Sequence, residues 1–481
     1  LKCEKVEYNL PYQVSFSVNN LLGLLFHKPH LVLKETDILN PIPSSSWPLR
    51  ANETALQYKK SFSSASSQFS NLSLARDRAA FTRWKTIENL DKYLIEFEAN
   101  FIKSGGKLLW AQDITDVMTE VISIIKKSQA STIIKSKSRT SSEVGLMDRL
   151  NQEGFNITET DCGDYILQQC DEEGSHMVLP ALHKPVAEIV SLLKDDLELD
   201  DDADPATIIA KIRSHLRSVF LTAGVGITGA NFIVADPGAI VITENEGNAG
   251  LTTSIPKIHI VIAGIDKLLP SLSDLDLFLP LLSTYGTGQT ITAYNHIISG
   301  PRQSDEMDGP EELYVILLDN GRTNVLSQNT QRQALNCIQC GACQYACPVY
   351  RATSPGDFPS PVEAITIPLK TGDSDLQKLS YTSTLCGACK DVCPVRIDLP
   401  KLLLKNRKDF VDQGNTTRSE KLFYYVWKRA MLKRDRLNWK GIKAGKFIME
   451  SLYKSKDELR KMPLKAPKSF NEQMREKRNI K

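Results

Sequence analysis

The sequence lacks any apolar stretch long enough to cross a bilayer; residues 21–26 are apolar, but His27 and Lys28 end the run. Its start does not resemble a cleaved secretory leader, so a cytoplasmic protein is expected. Net charge is nearly absent, +2 over 481 residues, and no nucleic-acid-binding motif is present, which excludes a DNA- or RNA-binding module. The charge is unevenly spread. Residues 401–481 hold 24 Lys+Arg against 9 Asp+Glu, so the rest of the chain is acidic. A basic tail of this kind fits an acidic partner, an anionic membrane face or the acidic body of its own chain. Its aromatics (Tyr424, Tyr425, Trp427 and Trp439) are expected to be packing residues. Hydrophobic residues at 41% and charged residues at 24% describe an ordinary globular chain, and its length implies two or three domains.

What the chain does have is thiols in two runs. Seven of ten cysteines lie in Cys337-x2-Cys340-x2-Cys343-x3-Cys347-Pro348 and Cys386-x2-Cys389-x3-Cys393-Pro394. The first run has the spacing C-x2-C-x2-C-x3-C-P of bacterial cluster-binding proteins, in which the last cysteine serves the other cluster. Cys337, Cys340, Cys343 and Cys393 are therefore expected to hold one iron–sulfur cluster. Cys347, Cys386 and Cys389 are expected to hold part of a second. Two such clusters, most simply [4Fe-4S], are the cofactors implied. Small residues such as Gly341 and Ala342 let the backbone approach inorganic sulfide, and Pro348 and Pro394 turn the chain away. A full second run would place a cysteine at 383, where serine stands. The fourth ligand there is a serine, a water, a substrate atom or a residue from elsewhere, or the cluster is a three-iron form. Structural zinc fits poorly, because seven thiols do not divide into closed sets of four. A disulfide framework fits poorly with the chain's length, with a start unlike a secretory leader and with thiols grouped as metal ligands are. Cys3, Cys162 and Cys170 stand alone and read as incidental.

Along the chain, residues 1–75 are rich in serine and proline and are expected to be a poorly packed extension. From residue 76 to 325 helical and strand patterns alternate. Trp84, Ile87, Leu90, Tyr93, Leu94 and Phe97 mark an amphipathic helix. Strands are predicted at 107–111, 131–135, 156–159, 177–180 and 258–264, with helices at 117–127 and 147–153. That alternation predicts an α/β domain with a largely parallel sheet. The acidic stretch 195–205 reads as a turn capping a helix from Pro205, since an EF-hand pattern is absent. Gly224, Gly226 and Gly229 have dinucleotide-type spacing but follow a helix, so backbone geometry explains them better. Residues 326–412 are expected to form a helical cluster-binding domain closed by a helix at 399–410, and residues 413–481 a basic helical tail.

Gly226-Ile-Thr-Gly-Ala-Asn231, Asn245-Glu-Gly-Asn248, Pro256-Lys-Ile-His259 and Asp319-Asn-Gly-Arg322 resemble the LUD domain. Lys135-Ser-Lys-Ser138 and His183-Lys184 fit it as well. With the cysteine runs behind them, residues 80–480 resemble the lactate-utilisation iron–sulfur family. The resemblance implies an α/β LUD domain similar to the ribose-phosphate isomerase and CoA-transferase group, followed by an α-helical ferredoxin domain. It implies an electron-transfer component of a multi-subunit L-lactate-oxidising system, with a cysteine-rich-domain protein and a second LUD protein as partners. It also implies only three cysteines at the second cluster, so Ser383 is no departure. Membrane contact would then be peripheral and through partners. The alternative is a self-sufficient oxidoreductase whose LUD domain binds the substrate, with Lys135, Lys137, His183, Lys184, His259 and Arg322 as anion-binding candidates. For each of these a salt bridge or a satisfied core position is the competing expectation. A redox-sensing regulator would need a DNA-binding element, which the sequence does not show.

Overall fold

The computed structural model describes residues 46–172, 174–353, 359–373, 375–416, 418–432 and 470–479. The described residues fall into two compact units, one reaching Asn415 and one beginning at Thr416. In the first unit ten strands follow in chain order. They are β1 (Lys107–Ala111), β2 (Thr132–Lys135), β3 (Asn156–Glu159), β4 (Val225–Gly229) and β5 (Phe232–Asp236), then β6 (Ala239–Glu244), β7 (Ile258–Gly264), β8 (Leu268–Ser271), β9 (Tyr294–Ile298) and β10 (Glu312–Leu318).

Six of them form a sheet in the order β1-β10-β7-β4-β2-β3, and every pair is parallel. A parallel sheet is covered on both faces, which explains near-continuous apolar strands. All seven residues of β10 but Glu312 are buried, and so are all those of β7 but Ile258. The helix Ile114–Ser128 covers one face with Val117, Val121 and Ile125, and Asp113 caps it by accepting from Thr115 and Asp116 N–H. The helix Pro205–Thr222 is capped by Asp204, the end of the acidic stretch, as expected from its sequence.

Three expectations change. Residues 46–75 are packed, not loose. The helix Ser46–Ser66 stacks Tyr58 on Tyr345, with ring centroids 4.2 Å apart, and sets Trp47 edge-on to Tyr350 at 5.6 Å. Gln68 donates to Thr284 Oγ1 at 2.9 Å. Of the serines that made this stretch look loose, Ser63, Ser64, Ser67 and Ser70 are exposed, whereas Ser61 is half-buried beside Gly288; residues 1–45 lie outside the described residues. Residues 177–180 form no strand, because side chains take their backbone groups. Met177 N–H donates to Gln344 Oε1 at 3.0 Å, and Val178 N–H to His176 Nδ1 at 3.0 Å. The tail aromatics Tyr424, Tyr425 and Trp427 are exposed on the helix Arg418–Met431, not packed, and Trp439 is outside the described residues.

A second, mixed sheet, β8-β5-β6-β9, was not legible in the sequence. It is built from the glycine-rich block, where β5 and β6 pair antiparallel through a turn at Gly238. The dinucleotide-like glycines span β4: Gly224 precedes it, Gly226 lies within it and Gly229 ends it. A Cβ at Gly226 would lie 2.0 Å from Thr252 O, so glycine there permits the close approach of the helix Asn248–Ser254.

Candidate iron–sulfur site

The cysteine module is two halves built alike. In the first, Gln339 has φ 56° and Gly341 φ 78°, and the short helix Ala342–Ala346 starts at that glycine. In the second, Leu385 has φ 56° and Gly387 φ 91°, and the helix Ala388–Asp391 follows. Each left-handed pair curls the chain so that cysteines three residues apart face one centre. Cys347 ends the first short helix and Pro348 opens the next, where a missing N–H costs nothing. The helix Leu399–Asp412 closes the module, as expected.

The structure brings the seven thiols together in two sets. Cys337, Cys340, Cys343 and Cys393 line one small cavity with Met177, Ile338, Val362 and Leu399. Cys389 feels the charges of Cys347 and Cys386 most among the thiols, and Cys343 feels Cys389, so the sets adjoin. Burial first, and those neighbouring thiols next, push Cys389 up to about 12. Burial pushes Cys393 up to about 11, with Cys337 adding to the rise. Crowded, buried sulfurs become thiolates only when cationic iron sits among them, and this donor set fits a cluster. Among the described residues no three His, Cys, Asp or Glu side chains close on a point as a single metal ion requires. Backbone donors already face sulfur: Gln339 N–H to Cys337 Sγ at 3.3 Å, and Ile397 N–H to Cys393 Sγ at 3.4 Å.

A buried cation supports the first run from below. Arg83, 1% exposed, donates to the carbonyls of Leu335 (2.8 Å), Asn336 (3.1 Å), Asp266 and Leu268. Leu335 and Asn336 lead directly into Cys337. Sequence reasoning missed this residue, since a lone arginine on an amphipathic helix reads as solvated.

The anion-site candidates are not one site. Lys135 pairs with Glu159 inside the sheet, and Lys137 donates to Val178 O at 2.6 Å. His183 and Lys184 share Glu172 at 2.9 and 2.7 Å. His259 is fully buried against Thr228 Oγ1 at 2.8 Å, and Arg322 binds Asp266 (2.5 Å) and Glu143 (2.9 Å). Burial lowers His259 to about 3, so it is neutral. Each therefore serves the fold locally. Cys162 and Cys170 lie apart from the module, and Cys3 is outside the described residues.

A parallel α/β core followed by two adjoining sets of thiols defines a LUD-domain iron–sulfur protein. Residues 94–318 match the LUD domain, and residues 333–397 match the 4Fe-4S dicluster domain. The chain is 38% identical over 363 residues to lactate utilization protein B of Bacillus cytotoxicus, across 74% of this chain and 76% of that one. It is 36% identical over 371 residues to the "uncharacterized electron transport protein YkgF" of Escherichia coli K12, across 74% and 78%. A solved DUF162 family protein of Deinococcus radiodurans aligns at 12% identity over 48% of this chain and 98% of its own, with a TM-score of 0.27. The chain belongs to the lactate utilisation protein B family, and its chemistry is iron–sulfur electron transfer. Among the described residues no helix is long and apolar enough to cross a membrane.

Proposed function

We propose that this chain is the iron–sulfur electron-transfer subunit of a multi-subunit system that oxidises L-lactate to pyruvate and supports growth on lactate. One observation carries the reading: seven thiols gathered in two adjoining sets against a LUD domain, in a chain whose relatives are named for lactate utilisation. Cys337, Cys340, Cys343 and Cys393 hold one [4Fe-4S] cluster, and Cys347, Cys386 and Cys389 hold the second. When bound, the clusters supply two neighbouring one-electron carriers. The chain's own part is to keep these carriers close and to offer them N–H donors such as Gln339 and Ile397, with Cys386 of the second set at the surface. Because Cys393 joins the first set and Cys347 the second, the backbone ties the two centres at a fixed spacing.

Oxidation of lactate to pyruvate releases two electrons and two protons, and a relay of this kind takes the electrons singly. The partners in this reading are a cysteine-rich-domain protein and a second LUD protein, and the assembly is cytoplasmic. The dispersal of Lys135, His183, His259 and Arg322 into local pairs favours a relay over a self-sufficient lactate dehydrogenase. The test is electron paramagnetic resonance on anaerobic protein after adding L-lactate. Cluster reduction is expected with the co-purified partners and not with the isolated chain. Lactate turnover by the isolated chain with an artificial acceptor would overturn the subunit reading.

A further inference from the structure

The parallel sheet reverses direction between β2 and β4. From β2 the chain steps outward to β3, and from β4 it proceeds the other way through β7 to β10. Loops leaving those two strands diverge, and open α/β sheets bind ligands in the crevice this leaves at the carboxyl ends. A cavity of ≈ 390 Å³ lies at that place, lined by residues 136–140 after β2 and by Gly229, Ala230 and Asn231 at the end of β4. Small-molecule sites run from about 300 to 1,000 Å³. Gln339 and Cys340 of the first cysteine run line the same cavity.

Three cations line this cavity: Lys137 donates to Val178 O and Arg139 pairs with Glu363, which leaves Lys267 to set its charge preference. It follows β7 at the same edge of the sheet, is 4% exposed, and lines the cavity. Among the described residues its ammonium group makes no hydrogen bond and no ion pair within 4 Å; the negative charges it feels most are the Asp266 carboxylate, already bound by Arg322, and the Cys337 sulfur. A buried cation left so is costly unless an anion meets it. The cavity's own carboxylates are engaged elsewhere. Asp161 accepts from Gly163 and Asp164 N–H, and Glu244 from Ala249 and Gly250 N–H and from His296. Glu246, at the exposed mouth, accepts from Cys162 N–H at 3.0 Å. These three acids also disfavour a dianion. The glycines of β4 are committed to the sheet and offer no phosphate cradle.

We propose that this switch-point cavity binds a small organic monocarboxylate, its carboxylate on Lys267 and its body against Gln339 and Cys340. The proposal rests on the electron-transfer reading for its use, and on the cavity alone for its geometry. It puts the class of molecule to which lactate and pyruvate belong directly beside the first thiol set.

The test is anaerobic calorimetry of the full, iron-loaded chain with L-lactate, pyruvate and inorganic phosphate. One-to-one binding of a carboxylate is expected, with phosphate at least about tenfold weaker. Lys267→Met should weaken the carboxylate by at least about tenfold, the scale of a hydrogen bond to a charged group. Glu246→Gln, which keeps the acceptor for Cys162 N–H and removes a like charge, should tighten it about two- to threefold. Iron content is measured on every sample, so an iron-free chain that still binds carboxylate contradicts the relay and supports the site. No carboxylate binding to iron-loaded protein overturns the site, as does Lys267→Met binding unchanged. If Lys267→Met loses its iron, the Glu246→Gln affinity decides, and an unchanged value overturns the proposal.

Discussion

Ser383 holds in the second half of the cysteine module the place that Cys337 holds in the first. Each side chain accepts the N–H two residues on, Leu385 at 3.2 Å and Gln339 at 3.3 Å, and both donor residues have φ 56°. Thiolate is a softer and stronger iron ligand than a hydroxyl. Ser383→Cys is therefore expected to give the second centre four thiolates and to slow its loss of iron under mild air oxidation. Paramagnetic resonance should show less three-iron signal than in the parent, and identical signals would contradict the placement. Arg83 makes the opposite case, a residue whose loss is felt at once. Arg83→Met leaves four buried carbonyls without a donor and should cost about 3–5 kcal/mol. A matching fall in the denaturation midpoint checks it. Ser383 was legible from spacing alone. Arg83 and Lys267 were not, because their roles come from segments far away in sequence that fold around them.

Elements bind the α/β core to the cysteine module at two places. The first is a charge cluster. Arg322, just after β10, holds Asp266 and Glu143, and Lys370 of the helix Glu363–Thr371 reaches the same Glu143. Burial alone would raise the Asp266 carboxyl, but Arg322 and Lys267 outweigh it and hold it at about 2. Glu143, half-buried, is lowered as well: burial would raise it, but Arg322 and Lys370 outweigh that. A lowered carboxyl contributes stability above its unfolded value, about 4, and loses it as pH falls through the folded value. The chain should thus lose on the order of 2 kcal/mol between about pH 4 and pH 2 from Asp266 alone. Denaturant titrations across that window check it, and Arg322→Met should weaken the dependence.

The second place is the helix Ser46–Ser66, where Tyr58 stacks on Tyr345 and donates to Tyr285 O at 2.9 Å. Tyr58→Ala should cost about 3–5 kcal/mol and hasten cluster loss in air, read as decay of visible absorbance. The parallel strands were legible because burial on both faces writes long Ile/Val/Leu runs. The second sheet was not, since β5 and β6 sit in a glycine-rich block that reads as turns. The helix Ser46–Ser66 was hidden by its serines, because the aromatic partners that hold it, Tyr345 and Tyr350, come from far away in sequence.

At the scale of the whole molecule, the chain joins a sheet with a cavity at its carboxyl edge to a module that gathers seven thiols, and Cys340 belongs to both. That union was legible only in part. The order of motifs placed the LUD domain before the cysteine module, but spacing along a sequence does not say which edge of a sheet a later domain covers. The account stands on iron and sulfide being held at two adjoining centres. Metal and acid-labile sulfide analysis of anaerobically purified protein, with paramagnetic resonance before and after reduction, tests it most directly. Roughly seven to eight irons per chain, matching sulfide and two interacting cluster signals are expected. Colourless protein holding zinc, or no metal at all, would contradict it.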